Sequence, residues 1–189
     1  MAEPGPAASP SPRAAEGLPD PATPAVIPGE DLAGPAQPPV VVTESVPFGG
    51  DAVGRIVIPR AEVDWAVVEG VGSAQLRTGA GHMPGTALPG EPGNAVISGH
   101  RTTYGAPFAH LERLVPGDPI TVETATGTHT YAVVETRIVG PTEIWVIEQW
   151  RGAWLTLTTC HPRYSAAERL VVFAHLVAGP NAGVILASP

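Results

Sequence analysis

Hydrophobic residues in this chain recur mostly with a period of two, in short runs separated by Gly and Pro. Val53–Ile58, Val63–Val68, Ala95–Ser98, Ile120–Glu123, Thr128–Val139, Leu155–Thr159 and Leu170–Leu176 each predict a strand. Such alternation sends successive side chains to opposite faces of a sheet, so that one face can be buried. Gly127 between two of these runs predicts a hairpin. Gly79–Gly93, dense in Gly and Pro, predicts loop and turn. One segment has helical spacing: in Pro107–Leu114, Phe108, Leu111 and Leu114 share a face, with Pro near the start. Short strands at regular spacing with one short helix predict an all-β barrel or sandwich over residues 51–180.

The pattern stops at both ends. Residues 1–50 contain twelve of the 23 prolines and no apolar periodicity. They predict a disordered, acidic Pro/Ala/Gly-rich linker with polyproline II character, unable to bury enough apolar surface to offset its ordering entropy. Val40-Val41-Val42 is the one apolar patch there that can dock on the body. Residues 181–189 are read as a short C-terminal tail.

Composition narrows the function. The net charge is −8, and most of the excess acid lies in the first 50 residues. The mildly acidic body has no cluster of basic residues, which argues against nucleic acid, where phosphates must be neutralised. All ten basic residues are Arg; without Lys, Schiff-base and Ser–Lys catalysis are excluded. One cysteine allows no intramolecular disulfide and no Cys-rich zinc site. No metal or cofactor is expected, because no ligand spacing and no phosphate or dinucleotide loop is present. No run approaches the roughly 18 apolar residues of a membrane span.

The lone Cys160 ends the run Trp154-Leu155-Thr156-Leu157-Thr158-Thr159. Period two puts Leu155, Leu157 and Thr159 on one face, and Thr156, Thr158 and Cys160 on the other, which is unusually polar. A thiol there is either a small buried hydrophobe or a nucleophile that needs a cation beside it. Six histidines compete as its partner. His100 is preferred because it follows a strand end in a small, polar, turn-like setting, where catalytic side chains accumulate. His161 should point away from its neighbour Cys160; His110 should be solvated; His129 and His175 should be surface or edge residues; His82 can line a cleft. Arg169 opens the strand after Cys160, where antiparallel pairing sets it beside the thiol, able to donate to an oxyanion or a peptide backbone. Its competing reading is a strand-edge partner of Glu168 or Glu148. Arg101 and Arg163 are weaker candidates.

With these residues in view, Thr156-Leu157-Thr158-Thr159-Cys160 resembles the TLxTC signature of sortases, the cysteine transpeptidases of Gram-positive surfaces. Gly99-His100 after a short apolar strand resembles their catalytic-His segment, and Arg169 matches the family Arg. Gly81-His82-Met83-Pro84-Gly85-Thr86, Gly99-His100-Arg101-Thr102-Thr103-Tyr104-Gly105 and Cys160-His161-Pro162 look like the actinobacterial class E subgroup. The resemblance covers about residues 51–178. It implies a closed β-barrel of about eight strands with one or two short helices. It implies that Cys160 attacks the Thr–Gly bond of an LAxTG- or LPxTG-like C-terminal sorting signal, that His100 protonates the leaving amine, and that Arg169 holds substrate and oxyanion. Thr158, Thr159, Tyr104 and Met83 are the implied substrate-binding residues.

The implied partners are signal-bearing surface proteins and a peptidoglycan-precursor amine, at the outer face of the cell membrane. Two departures stand out. Sortases are normally anchored by an N-terminal membrane segment, so the anchor is expected upstream of this sequence or on a partner. Met83 stands where some class E relatives carry an aromatic residue. Two alternatives remain: a cysteine endopeptidase on the same barrel, and an inactive peptide-binding barrel.

Overall fold

A computed structural model of the chain describes residues 40–187; the disorder expected of residues 1–39 lies outside the described residues. The strands are β1 (Ala52–Ile58), β2 (Val63–Glu69), β3 (Ala80–His82), β4 (Gly93–Ser98), β5 (Pro119–Thr124), β6 (Gly127–Val139), β7 (Ala153–His161) and β8 (Glu168–Ala178). They close into a barrel in the order β1-β2-β3-β4-β7-β8-β6-β5. Two neighbour pairs, β2–β3 and β4–β7, are parallel, and the others are antiparallel. The helices α1 (Ser73–Leu76) and α2 (Ala182–Leu186) are short.

The alternation seen in the sequence becomes the division between lumen and outer wall. Leu155, Leu157, Val172, Ala174, Ile56, Ile97, Ile120, Val122 and Tyr131 fill one continuous core. On β7 and β8 the opposite face is also covered: Val171 and Phe173 pack with Val146 and against Val139, Trp145, Ile147 and Trp150. Residues 140–150, which contain a 3-10 turn at Ile144–Ile147, thus roof part of the outer wall. Asn94, fully buried, sews this roof down. Its Nδ2 donates to the carbonyls of Val146 (3.2 Å) and Glu148 (3.0 Å), and its Oδ1 accepts from Thr156 Oγ1 (2.7 Å). Irregular backbone can be buried only when its polar groups are answered in this way.

Three local expectations change. Pro107–Leu114 forms only a 3-10 turn at Leu111–Arg113. Its anchors Phe108, Leu111 and Leu114 are buried as the spacing implies, but eight residues are too few to propagate a helix, and Phe108 N donates to His100 O. The Gly/Pro-rich stretch at 79–93 contains β3, whose Gly81 is required because a Cβ there would strike the Gly70 carbonyl oxygen. The C-terminal tail begins with α2, which buries Ala182 and Ile185.

Residues 40–50, read as part of the linker, lie along the base of the barrel without helix or strand. Val42 N donates to Asn181 Oδ1 (2.8 Å), and Asn181 Nδ2 donates to Val42 O (2.7 Å) and Gly90 O (2.9 Å). Glu44 N donates to Glu91 Oε1, while Glu44 Oε1 accepts from Thr126 N and Oγ1. Beneath this strap, His129 is fully buried rather than at a surface or edge position. Its Nε2 meets Thr124 and Thr126 hydroxyls, and its Nδ1 has no hydrogen-bond partner.

The strap should loosen in acid. Burial holds His129 below its ordinary pKa of 6.5, although Glu44 and Glu91 pull the other way. Its contribution to stability is therefore complete above 6.5 and lost as pH falls through the lower folded value. Burial works against ionisation of Glu44, but hydrogen bonds from Thr124 and Thr126 and the charge of His129 outweigh it and hold the carboxyl below 4.5. That contribution is lost at still lower pH. Hydrogen exchange at Val42 and Glu44, corrected for intrinsic rate, should accelerate from pH 7.5 to pH 5.5, and Asn181→Ala should accelerate it already at pH 7.5. Unchanged protection in both experiments would contradict this account of the strap.

Candidate active site

Because β4 and β7 run parallel, with Ser98 beside Thr158, both strands end at the same rim of the barrel. His100 lies two residues past the end of β4, and Cys160 near the end of β7. β8 returns antiparallel from that rim with Arg169 directly opposite Cys160. Residues paired across antiparallel strands project from the same face. Cys160 and Arg169 therefore share the outer wall, as do Ser98 and Thr158, whose hydroxyls are 2.8 Å apart.

These side chains line one cleft of about 400 Å³. Cys160, His100, Arg169, Thr158, Thr159 and Met83 all border it. The roof residues Val146, Ile147, Ile144 and Glu143 form one wall, and Val71 and Leu76 contribute to the lining. Tyr104 is not among the lining residues. It stands half-exposed behind His100, ring centroids 5.1 Å apart, with the Arg77 guanidinium 5.2 Å from its centroid.

Each member of the trio is free to act. Cys160 is half-buried and its Sγ has no hydrogen-bond partner among the described residues. Resting sites commonly hold such contacts long until substrate arrives. His100 touches Tyr104, and its ring nitrogens have no hydrogen-bond partner among the described residues. Arg169 donates from Nη1 to Ala166 O and Glu168 O, both at 2.9 Å. It meets carbonyls, not the carboxylates of Glu168 or Glu148, and its other N–H groups have no partner among the described residues.

Thr159 and Gly99 fix the His100 loop to the Cys160 strand. Thr159 Oγ1, buried, donates to Gly99 O (2.7 Å), and Gly99 N donates to Thr158 O (3.1 Å). A Cβ at Gly99 would lie 2.7 Å from the Phe108 ring, which is fully buried.

The remaining candidates take structural positions. His82 is buried and does not line the cleft. Its Nε2 donates to Ala87 O (2.9 Å) and Thr86 Oγ1 (3.1 Å), and its Nδ1 faces Glu69 Oε2 at 2.6 Å. Glu69 and His82 are register partners of β2 and β3, so the pair pins the start of the loop that carries Met83. His161 points to Arg101, away from the cleft. Arg163 binds Ala109 O, His110 and Glu112. Arg101 is a residue the sequence undervalued: its guanidinium is buried and donates to Cys160 O (3.1 Å). Only its position beside His100 hinted at this.

A sortase domain model matches residues 56–177. The chain is 31% identical over 144 residues to Sortase SrtE1 of Streptomyces coelicolor, spanning 68% of this chain and 41% of that protein. It is 35% identical over 117 residues to Sortase D of Bacillus subtilis, spanning 61% of this chain and 58% of that one. It thus spans about half the length of these curated relatives. Among solved structures, Sortase E1 from Streptomyces coelicolor with a tripeptide in the active site superposes with a TM-score of 0.63 at 28% identity, covering 70% of this chain and 96% of that chain. SrtA sortase from Actinomyces oris gives 0.66 at 31% identity, covering 75% and 87%.

Gly99→Ala should force the Phe108 ring to move and cost about 1–3 kcal/mol, as overpacking does. The measurement is thermal unfolding together with Cys160 alkylation. A lowered midpoint with a slower or altered thiol reaction is expected; a wild-type midpoint would contradict the packing described here.

Proposed function

The chain belongs to the sortase family, and from that premise we propose that it is a cysteine transpeptidase acting on sorting signals of surface proteins. The reading is supported above all by one observation: thiol, imidazole and guanidinium meet on a single cleft at one rim of the barrel. Three groups of different chemistry, carried on three separate strands or strand ends, have no need to converge in a barrel that only binds peptide.

The proposed reaction uses each once. Cys160, deprotonated, attacks the carbonyl carbon between Thr and Gly of the signal. The C–S bond forms, and the carbonyl electrons move onto oxygen. Arg169 donates free N–H groups to that oxyanion or to the adjoining substrate backbone, where a fixed cation stabilises charge as it develops. When the intermediate collapses the C–N bond breaks, and His100 delivers a proton to the departing amine. A thioacyl-enzyme remains. An acceptor amine, taken as that of a peptidoglycan precursor, attacks the thioester and gives up a proton to His100. The C–S bond breaks and the thiolate returns. Water in place of the amine gives hydrolysis by the same steps.

The cleft walls are largely apolar around the Ser98–Thr158 hydroxyl pair, which supports an extended LAxTG- or LPxTG-like peptide as the proposed occupant. We assign Met83, Thr158 and Thr159 to its lining, and give Tyr104 the role of supporting His100 rather than direct contact. The clients would be surface proteins carrying such a signal, at the outer face of a Gram-positive membrane. No helix among the described residues is long and apolar enough to cross a membrane.

Incubation with an LAxTG- or LPxTG-type peptide should add an acyl mass to wild type that an added amine discharges. Cys160→Ala should form no adduct, and His100→Ala should lose transfer. Arg169→Ala should lower kcat/KM by about 100-fold or more, as removal of an oxyanion donor does. Turnover retained in Cys160→Ala would overturn the assignment.

A further inference from the structure

Arg101 has a geometry that the reaction above leaves unused. It directly follows His100, yet only 5% of it is exposed. Nη1 donates to Cys160 O (3.1 Å) and to His161 Nδ1 (2.8 Å), and Nη2 donates to Glu112 Oε2 (3.1 Å). Its Nε is buried without a hydrogen-bond partner. A guanidinium that leaves one donor unanswered in a buried site costs stability, and a buried ion pair is itself weak evidence of stabilisation. The arrangement is better explained by what it holds. One end of the fork grips the carbonyl of Cys160, while the backbone that bears the fork also bears His100.

We propose that Arg101 is a positioning residue for acyl transfer: it clamps the Cys160 strand end to the His100 loop and so sets the approach of imidazole to thiol. The inference rests on the transpeptidase reading of the site. Register alone fixes the strands as far as Ser98 and Thr158. Beyond that point, Gly99 is tied to Thr158 and Thr159, Arg101 bridges to Cys160 itself, and Arg163 ties the turn after β7 to the far part of the same loop at Ala109, His110 and Glu112. Glu112 steers the bridge, since Arg101 takes one of its oxygens and Arg163 the other. Burial opposes ionisation of Glu112, but a backbone hydrogen bond and these two guanidiniums outweigh it and keep the carboxyl below its ordinary value. The anchor is therefore charged wherever the enzyme would work. His161 accepts from Arg101 at Nδ1, since a guanidinium can only donate.

Geometry of this kind acts on the chemical step more than on binding. A misplacement of about 1 Å between reacting groups can cost on the order of 100-fold. The bridge also brings a buried cation against the peptide unit of Cys160. Of the other charged or titratable groups, His100, Glu143 and Arg169 border the cleft with Cys160; Glu112, His161 and Arg163 belong to the Arg101 bridge; and Glu168 pairs with His161 in register. Arg101 is the most buried of the cations in this set.

Cys160 is the sole cysteine, so mass-resolved alkylation by iodoacetamide across pH reads this thiol alone. The experiment compares wild type, Arg101→Met, Arg101→Lys and, as a change of surface charge on the same loop, Arg113→Gln. Arg101→Met is expected to slow alkylation of Cys160 across the pH range, and to lower kcat with a sorting-signal peptide about tenfold or more at nearly unchanged KM. Arg113→Gln should match wild type in both. A folded Arg101→Met with wild-type alkylation and kcat, or with only a lowered melting midpoint, would overturn the clamp. If Arg101→Met does not fold, Arg101→Lys decides. One ammonium cannot span Cys160 O and Glu112, so kcat should fall at least about threefold; wild-type kcat and profile would overturn the proposal. If wild type itself forms no acyl adduct, the transpeptidase reading fails, and the alkylation profiles still decide whether Arg101 governs the thiol.

Discussion

The site depends on a parallel pairing. β4 and β7 point the same way and stay in register to Ser98 and Thr158, so the two chain segments leave the sheet together at one rim. An antiparallel pair would have sent one of them to the far end. β8 then returns beside β7, so the guanidinium faces the thiol across a ladder rung. The strand ends that carry thiol, imidazole and guanidinium are therefore placed by backbone hydrogen bonds, which are numerous and cooperative. Side-chain contacts, Thr159 to Gly99 and Arg101 to Cys160, then tie together the segments beyond the last rung.

The lumen could not have hosted this chemistry. It is filled by Ile, Leu, Val and Tyr side chains to the core of the barrel, and a charged group there would lack partners. The period of two solves the problem by turning Cys160 and Thr158 outward while Leu155 and Leu157 turn inward. The outer wall gains its concavity from the roof over Val171 and Phe173, whose residues Glu143, Ile144, Val146 and Ile147 line the cleft beside Cys160 and Arg169. Asn94 makes that roof possible, since it answers two carbonyls of a segment with no sheet to pair with.

Much of this was readable because the decisive residues sit where the pattern changes. Cys160 and Arg169 flank a turn between two clear strands, and His100 ends another, so position alone recommended them. The strands emerged because alternation directly records which face is wet. Other features left no local trace. β3 is three residues long within Gly and Pro, and it exists because Gly81 lets the Gly70 carbonyl approach. Two partners of Arg101, Cys160 and His161, lie 59 and 60 positions away, as remote in sequence as β4 is from β7. His129 looked like a strand-edge residue because nothing nearby announced that Glu44, 85 positions earlier, would help to cover it. Such contacts are products of topology, and no window along the chain contains them.

The strap at the base has a mechanical meaning. Asn181 follows the far end of β8, and Arg169 lies near its start, so the two are separated by about 30 Å at roughly 3.3 Å per residue. A pull on the chain ahead of Val42 would load the Asn181 and Glu44 bonds first, at the pole opposite the thiol. Those bonds would part before force reached the rim. A load on this segment is therefore absorbed at the base, and the rim that carries the thiol stays undistorted by tension.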